Sequence, residues 1–381
     1  MKTLRNTDIY EKLFLGALLG AFFLRLAYAT TRSIFESGPD APFYAIAPLQ
    51  MAEFGFWSSQ IVDIPRYPSG YPTILWPFAV VFGSNWVLFV QIFQITLSVL
   101  TIWLVYKIVS LFLKREFAVV IGFLFLSNPA FLVMSGQAMY EPIFMFTFYA
   151  YLYLILKDFK TFPKLSRLVS AASLAGVTSV IHPRSIPWIV AIQLIIFHKM
   201  HFKRSMIFIG VFLLPVLFFL SRNGLVNGRW TLMSSVILDP YEKSDTLVEV
   251  VRNGVGNVVN FWSPFSGDAK RSTWYHNFTL YHEIKSITNL SSSVYIIAIT
   301  LGVIAISSWL IGSLTLIKVE PIVGAIVLVI PVLTMGIDFF ADGDSRHRLV
   351  IMPLLIIGQL WFWMIALQKI RAFKDSRRDK S

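Results

Sequence analysis

The chain has 381 residues, 56% of them hydrophobic and only 14% charged, with a mean hydropathy of +0.67. Soluble domains carry charge on about a quarter of their residues, so this composition excludes a water-soluble globular protein and indicates a polytopic membrane protein. The net charge of +12 is read as the positive-inside bias of such a protein, with membrane lipids and no nucleic acid as expected partners, and the lack of cysteine excludes disulfides, Cys-ligated metals and thiol nucleophiles.

A hydrocarbon core is crossed by about 20 apolar helical residues. On that measure ten spans are expected, at 12–31, 86–107, 116–135, 141–157, 167–186, 187–199, 205–221, 293–316, 321–340 and 349–369. The first, apolar from Leu13 to Ala29, lacks a small-residue cleavage site and reads as a signal anchor. The span at 187–199 is short, a tilted or partial crossing. The piece from Tyr71 to Phe82 is apolar but too short to cross, and reads as interfacial or re-entrant. The expected fold class is therefore all-α, a polytopic integral membrane protein of about ten helices with a helical first outer loop. It forms a single domain over 1–381, with outer loops at 32–85 and 222–292 and a tail at 370–381. No internal repeat is visible, which argues against transporter folds built from inverted halves.

Charge orients these spans. With the N-terminus in the cytoplasm, 20 of the 33 Lys and Arg residues fall on that side and 12 on the other, and Arg25 lies inside the first span. Short loops alternate between rich and poor in basic residues, as the positive-inside rule requires. Both termini are thus expected in the cytoplasm. The loops at 32–85 and 222–292, the turn at Arg184 and the element from Asp338 to Arg348 then collect on the outer face.

Several polar residues on that face have two readings each. Asp40, in Gly38-Pro39-Asp40-Ala41-Pro42, is either a general base for an acceptor hydroxyl or a cap for the helix that follows. Glu141, between Tyr140 and Pro142, is a site acid or simply an acid favoured by a helix N-terminus. Arg184, in Ile181-His182-Pro183-Arg184, suits a phosphate through its planar fork, or snorkels to lipid headgroups. The run from Asp342 to Arg348, with Arg346, His347 and Arg348, either holds a phosphate or forms a solvated loop of Asp–Arg pairs. Arg25, without a local partner, pairs with an acid on another helix or snorkels. Asn277-Phe278-Thr279 and Asn289-Leu290-Ser291 are formal glycosylation sequons, meaningful only in a eukaryote. No His pair has zinc-site spacing with an adjacent acid, so no metal is expected. No Gly-rich loop follows a strand, so neither a nucleotide site nor any other cofactor is expected.

The order of these features resembles that of GT-C class membrane glycosyltransferases, specifically the relatives of protein O-mannosyltransferases and aminoarabinose transferases. The resemblance is carried by Pro39-Asp40-Ala41-Pro42-Phe43-Tyr44-Ala45, Gly55-Phe56-Trp57 and Pro68-Ser69-Gly70-Tyr71-Pro72 in the first outer loop. It continues through Asn128-Pro129-Ala130, Tyr140-Glu141-Pro142, Arg222-Asn223 with Gly228 to Ser235, and Arg346-His347-Arg348 with Pro353. It covers most of 12–360 as order and texture. Ala41 stands where the family commonly has a second acid, and His347 where an aromatic is usual. The resemblance implies an inverting transfer from a polyprenyl-phosphate monosaccharide to a hydroxyl of a lipid, glycan or protein acceptor. It makes Asp40 the base, with Glu141 the alternative. Arg184, Arg346 and Arg348 would hold the leaving phosphate, with Tyr44, Tyr71, His182 and His347 as further substrate-binding residues.

Three other readings stay open: a flippase or transporter for a lipid or glycolipid, an O-antigen ligase or polymerase, and a membrane scaffold. Lack of cysteine and of eukaryotic targeting signals points to a bacterial plasma membrane.

Overall fold

The computed structural model describes residues 2–30, 41–61, 69–157, 164–197, 202–232, 292–340 and 345–378, with single helical positions at 248 and 251. Asp40, residues 342–344 and both sequons lie outside these residues. Among the described residues every regular element is a helix. In order they are α1 (Lys2–Thr30), α2 (Ala41–Phe54), α3 (Gly70–Phe82), α4 (Trp86–Ser110), α5 (Arg115–Leu126), α6 (Pro129–Ser135) and α7 (Glu141–Lys157). There follow α8 (Leu165–Ile181), α9 (Ser185–Phe197), α10 (Phe202–Asn227), α11 (Ser292–Val319), α12 (Pro321–Phe340) and α13 (Ser345–Arg378).

Among the described residues, five stretches are long and apolar enough to cross a membrane: Ile9–Thr30, Gly70–Ser110, Phe202–Asn227, Gly302–Val319 and Leu349–Ala372. Leu165–Ile181, Ser185–Ile196 and Pro321–Ile337 are apolar but shorter. The fold is that of a helical membrane protein, in agreement with the expected class.

The helices break where their sequences forbid continuation. The span expected over 116–135 is two helices, because Pro129 lacks an N–H and pushes Asn128 out of the helical region. Asn128 caps the new helix, its Oδ1 accepting from the Phe131 N–H at 3.1 Å. The span expected over 167–186 ends at Ile181, since His182 precedes Pro183 and adopts extended angles, φ −149° and ψ 104°. The short apolar piece at Tyr71–Phe82 is α3. It runs into α4 through a 3-10 turn, Gly83–Asn85, opened by Gly83 at φ +52°.

The helices form two compact units. The first holds α1 to α8, the start of α9, and α10. Here α4 packs against α1, α3, α5 and α7; α7 packs on α8, α8 on α10, and α3 on both α2 and α8. Glu11 of α1 joins Lys107 of α4 at 3.1 Å and Arg115 of α5 at 3.7 Å.

Arg25 is 1% exposed. Among the described residues it pairs with no acid, and at this burial it does not snorkel. Its Nη2 donates to the Leu126 carbonyl at 3.4 Å, its Nη1 donates to the Ala21 carbonyl at 3.3 Å, and its guanidinium lies 5.6 Å from the Phe131 ring centre. The last carbonyls of α5 have no partner within that helix and sit at its negative end, which is where a cation gains most.

Arg222, near the end of α10, is 0% exposed. Its Nε and Nη2 both donate to the Phe56 carbonyl at 3.1 Å, and Nη2 also reaches the Ser58 carbonyl at 3.3 Å. Asn223 Oδ1 accepts from Arg222 Nη1 at 3.2 Å, while Asn223 Nδ2 donates to the Thr231 carbonyl at 2.7 Å. These bonds fix the turn after α2 over a core that includes Met51, Phe56, Ile61, Val180, Val216 and Phe219.

The second unit holds α11 to α13 with Val190–Ile196. There α11 meets α13 backbone to backbone: a Cβ on Gly312 would overlap the Gly358 carbonyl. Small residues permit such close approach, the usual way membrane helices pack. Trp309 Nε1 donates to the Val327 carbonyl at 3.0 Å and Gln359 Nε2 to the Ala305 carbonyl at 3.1 Å, tying α11 to both neighbours.

Two outcomes follow for purified protein in detergent. Gly312→Val should force α11 and α13 apart and lower stability by about 3 kcal/mol or more, whereas Gly302→Val, with open space around its Cβ, should leave the melting curve unchanged. Arg25→Met strips the Leu126 carbonyl of its donor and should cost about 1–3 kcal/mol, seen as a lowered melting temperature.

Candidate active site

Four helix ends of the first unit meet around Gly70. A Cβ on this residue would overlap the Val180 carbonyl, so α3 can start directly against the last turn of α8 only because a glycine stands there. Tyr71, next in sequence, is thereby set beside the end of α8. Ser69 is buried, and its carbonyl accepts from the Thr73 N–H at 3.2 Å and the Thr73 hydroxyl at 2.7 Å, closing the first turn of α3.

A chain of rings runs through this junction. The Tyr44 ring of α2 meets Tyr71 edge-on, centres 4.8 Å apart, and Tyr140 at 6.3 Å. Tyr140 stacks on His182 at 4.6 Å, and Phe144 packs on both. Trp188 extends the wall, 5.8 Å from Phe144 and 5.5 Å from Phe148. Edge-to-face pairs of this kind hold a fixed geometry and keep water out.

Glu141 is embedded in this wall. It is the first residue of α7, directly after Tyr140, and is 1% exposed. A carboxylate taken out of water is costly unless polar groups compensate it, which makes a buried acid in a membrane bundle a functional candidate. The α7 N-terminus supplies favourable dipole charge. The Tyr71 hydroxyl is fully buried beside the Gln94 side chain and within electrostatic reach of the Glu141 carboxylate, with no hydrogen bond of its own among the described residues. Gln94 Nε2 donates to the Met139 carbonyl at 2.7 Å. Helices α2, α3, α4, α7 and α8 thus bring an acid, three phenols, an imidazole and an amide together inside apolar surroundings. Such a group can exchange a proton with a hydroxyl and donate hydrogen bonds to an anionic oxygen.

Of the residues expected from the sequence, Tyr44, Tyr71, Glu141 and His182 come together here. Arg184 lies in the same turn as His182 and is partly exposed. Asp40 precedes the first residue of α2 in sequence. Arg346, His347 and Arg348 fall in the first turn of α13, in the second unit, where the structure describes their backbone alone. Among the described residues, no three His, Asp or Glu cluster as a metal site would need. Sequence reasoning passed over Tyr140, as a ring, and Gln91 and Gln94. The signal for the glutamines was present: two amides three residues apart in the apolar run Trp86-Val87-Leu88-Phe89-Val90-Gln91-Ile92-Phe93-Gln94.

No family model matches the sequence, and no curated protein matches it either. The fold is similar to that of solved structures. One is the archaeal oligosaccharyltransferase AglB from Archaeoglobus fulgidus, in complex with an inhibitory peptide and a dolichol-phosphate, with a TM-score of 0.53 at 13% identity. The match covers 96% of this chain and 52% of AglB, so the chain spans about half that structure's length. Another is ArnT from Cupriavidus metallidurans bound to undecaprenyl phosphate, with a TM-score of 0.43 at 12% identity over 93% of this chain and 75% of ArnT. At these identities the likeness is one of fold alone.

Proposed function

We propose that this protein is a membrane glycosyltransferase that moves a sugar from a polyprenyl-phosphate donor to an acceptor hydroxyl. The observation that carries this reading is Glu141, a carboxyl 1% exposed that directly follows Tyr140, whose ring packs on Tyr44 and His182. The likeness in fold to a protein solved with a dolichol-phosphate supports a lipid-borne donor. The charge asymmetry supports ten crossings, cytoplasmic termini and a site fed from the outer leaflet.

The reaction balances as follows. Asp40 takes the proton of the acceptor hydroxyl as its oxygen attacks the anomeric carbon. The bond from that carbon to the phosphate oxygen breaks on the opposite face, inverting the centre, and the lipid phosphate leaves with the electron pair. Its added negative charge calls for fixed cations, and Arg184, Arg346 and Arg348, with His347, are assigned to it. Glu141 orients the acceptor hydroxyl, and the Tyr44, Tyr71 and His182 rings line the sugar.

Membranes containing the protein are supplied with radiolabelled polyprenyl-phosphate monosaccharides. The wild type should form a labelled product. Asp40→Asn and Glu141→Gln should each lower transfer about 10²- to 10⁴-fold at equal levels of folded protein. Full activity of Asp40→Asn with loss in Glu141→Gln would move the base to Glu141. Wild-type protein that uses none of these donors, but moves a fluorescent lipid across vesicles, would replace the transferase with a flippase.

A further inference from the structure

The stretch between α6 and α7, residues 136–140, is irregular backbone and wholly buried. Such backbone survives in a membrane bundle only if the protein satisfies its polar groups. Within the stretch, the Gln137 N–H donates to the Met134 carbonyl at 3.3 Å and the Met139 N–H to the Gln137 carbonyl at 2.8 Å. The carbonyls of Gly136 and Met139 are taken by side chains of α4. Gln91 Nε2 donates to Gly136 at 3.2 Å and, more weakly, to Ala29 at 3.5 Å; Gln94 Nε2 donates to Met139 at 2.7 Å.

We infer that Gln91 and Gln94 are positioning residues that set the register of Glu141 against Tyr71 and against the end of α1. The geometry is specific to these two side chains. They lie three residues apart on one face of α4, and the carbonyls they hold lie three residues apart in the stretch that ends at Glu141. An amide NH2 has two protons to give, and Gln91 directs both, one to the α7 approach and one to the last turn of α1 that leads in sequence to Asp40. Gln94 holds the approach with its nitrogen while the same side chain neighbours the Tyr71 hydroxyl. Ser98 and Thr101, one and two turns further along, bond back to carbonyls of their own helix and, among the described residues, to nothing else, so the two glutamines are distinct from an ordinary polar stripe. The mechanistic part of this inference rests on the transferase reading. The structural part does not.

The test uses Gln91→Met and Gln94→Met, which keep length and burial and remove the donors, with Thr101→Val as the control in the same helix. In full-length protein each glutamine variant should lower kcat about a hundredfold, the scale set by an ångström of misplacement, with the donor KM within about twofold and a melting temperature that is lowered, as for Arg25→Met, but leaves the protein folded at the assay temperature. Thr101→Val should keep wild-type turnover. Because the chain has no cysteine, Met139→Cys adds a unique thiol at a residue 1% exposed. It should resist a small maleimide alone and react at least tenfold faster when combined with Gln94→Met. Unchanged thiol reactivity overturns the inference whether or not any donor is used, so it fails separately from the transferase reading. Wild-type kcat in both glutamine variants, or loss of kcat that tracks loss of folded protein, overturns the positioning role.

Discussion

Peptide carbonyls freed at helix breaks inside an apolar bundle govern this structure. Lipid offers no hydrogen bond, so each break must be closed by a side chain from elsewhere in the fold. Arg25 closes the end of α5, Gln91 and Gln94 close the approach to α7, and Arg222 closes the turn after α2. None of these four meets an acid in these bonds. The polar and charged residues that look costly in a membrane span are the groups that let its backbone be irregular where it is.

That irregularity lies where the candidate chemistry lies. The breaks before Gly70, before Glu141 and after Ile181 turn four helix ends toward one another, and there, among the described residues, phenol and imidazole rings pack beside a buried carboxyl. A bundle of unbroken helices would bury the same apolar surface but could not present the first residue of α7 and the end of α8 to the same ring of Tyr140. The second unit, with backbone contact at Gly312 and interhelical bonds from Trp309 and Gln359, is held together by closeness rather than by closing breaks.

Composition and Pro placement made the helical membrane class legible, and the local signals at Tyr140-Glu141-Pro142 and His182-Pro183 marked real helix ends. Asn128-Pro129 carried the same signal inside what reads by hydropathy as one span, since a sum over a window does not register one missing N–H. The partners of the buried polar residues were not legible. Arg25 meets Leu126 across 101 residues and Gln94 meets Met139 across 45, and nothing local to an arginine or glutamine in an apolar run says which carbonyl it will reach. The edge-to-face contact of Tyr44 with Tyr71 is hidden in the same way, because it depends on Gly70 letting α3 touch α8. Sequence identified Glu141, Tyr44, Tyr71 and His182 as candidates; their assembly came from contacts between helices, through the ring of Tyr140.

The Arg222 clamp also has a bearing on the order of biosynthesis. Phe56 and Arg222 are separated by 166 residues, so the turn after α2 is made long before the guanidinium that holds it. At about 5–20 residues per second, roughly ten to thirty seconds pass between the two during translation. Through that interval α1, α3 and α4 are already available to insert while the turn beside α2 still lacks its lock. The last step in finishing this corner of the protein is thus the arrival of α10, and until then the nascent chain carries a turn after α2 that is not yet fastened.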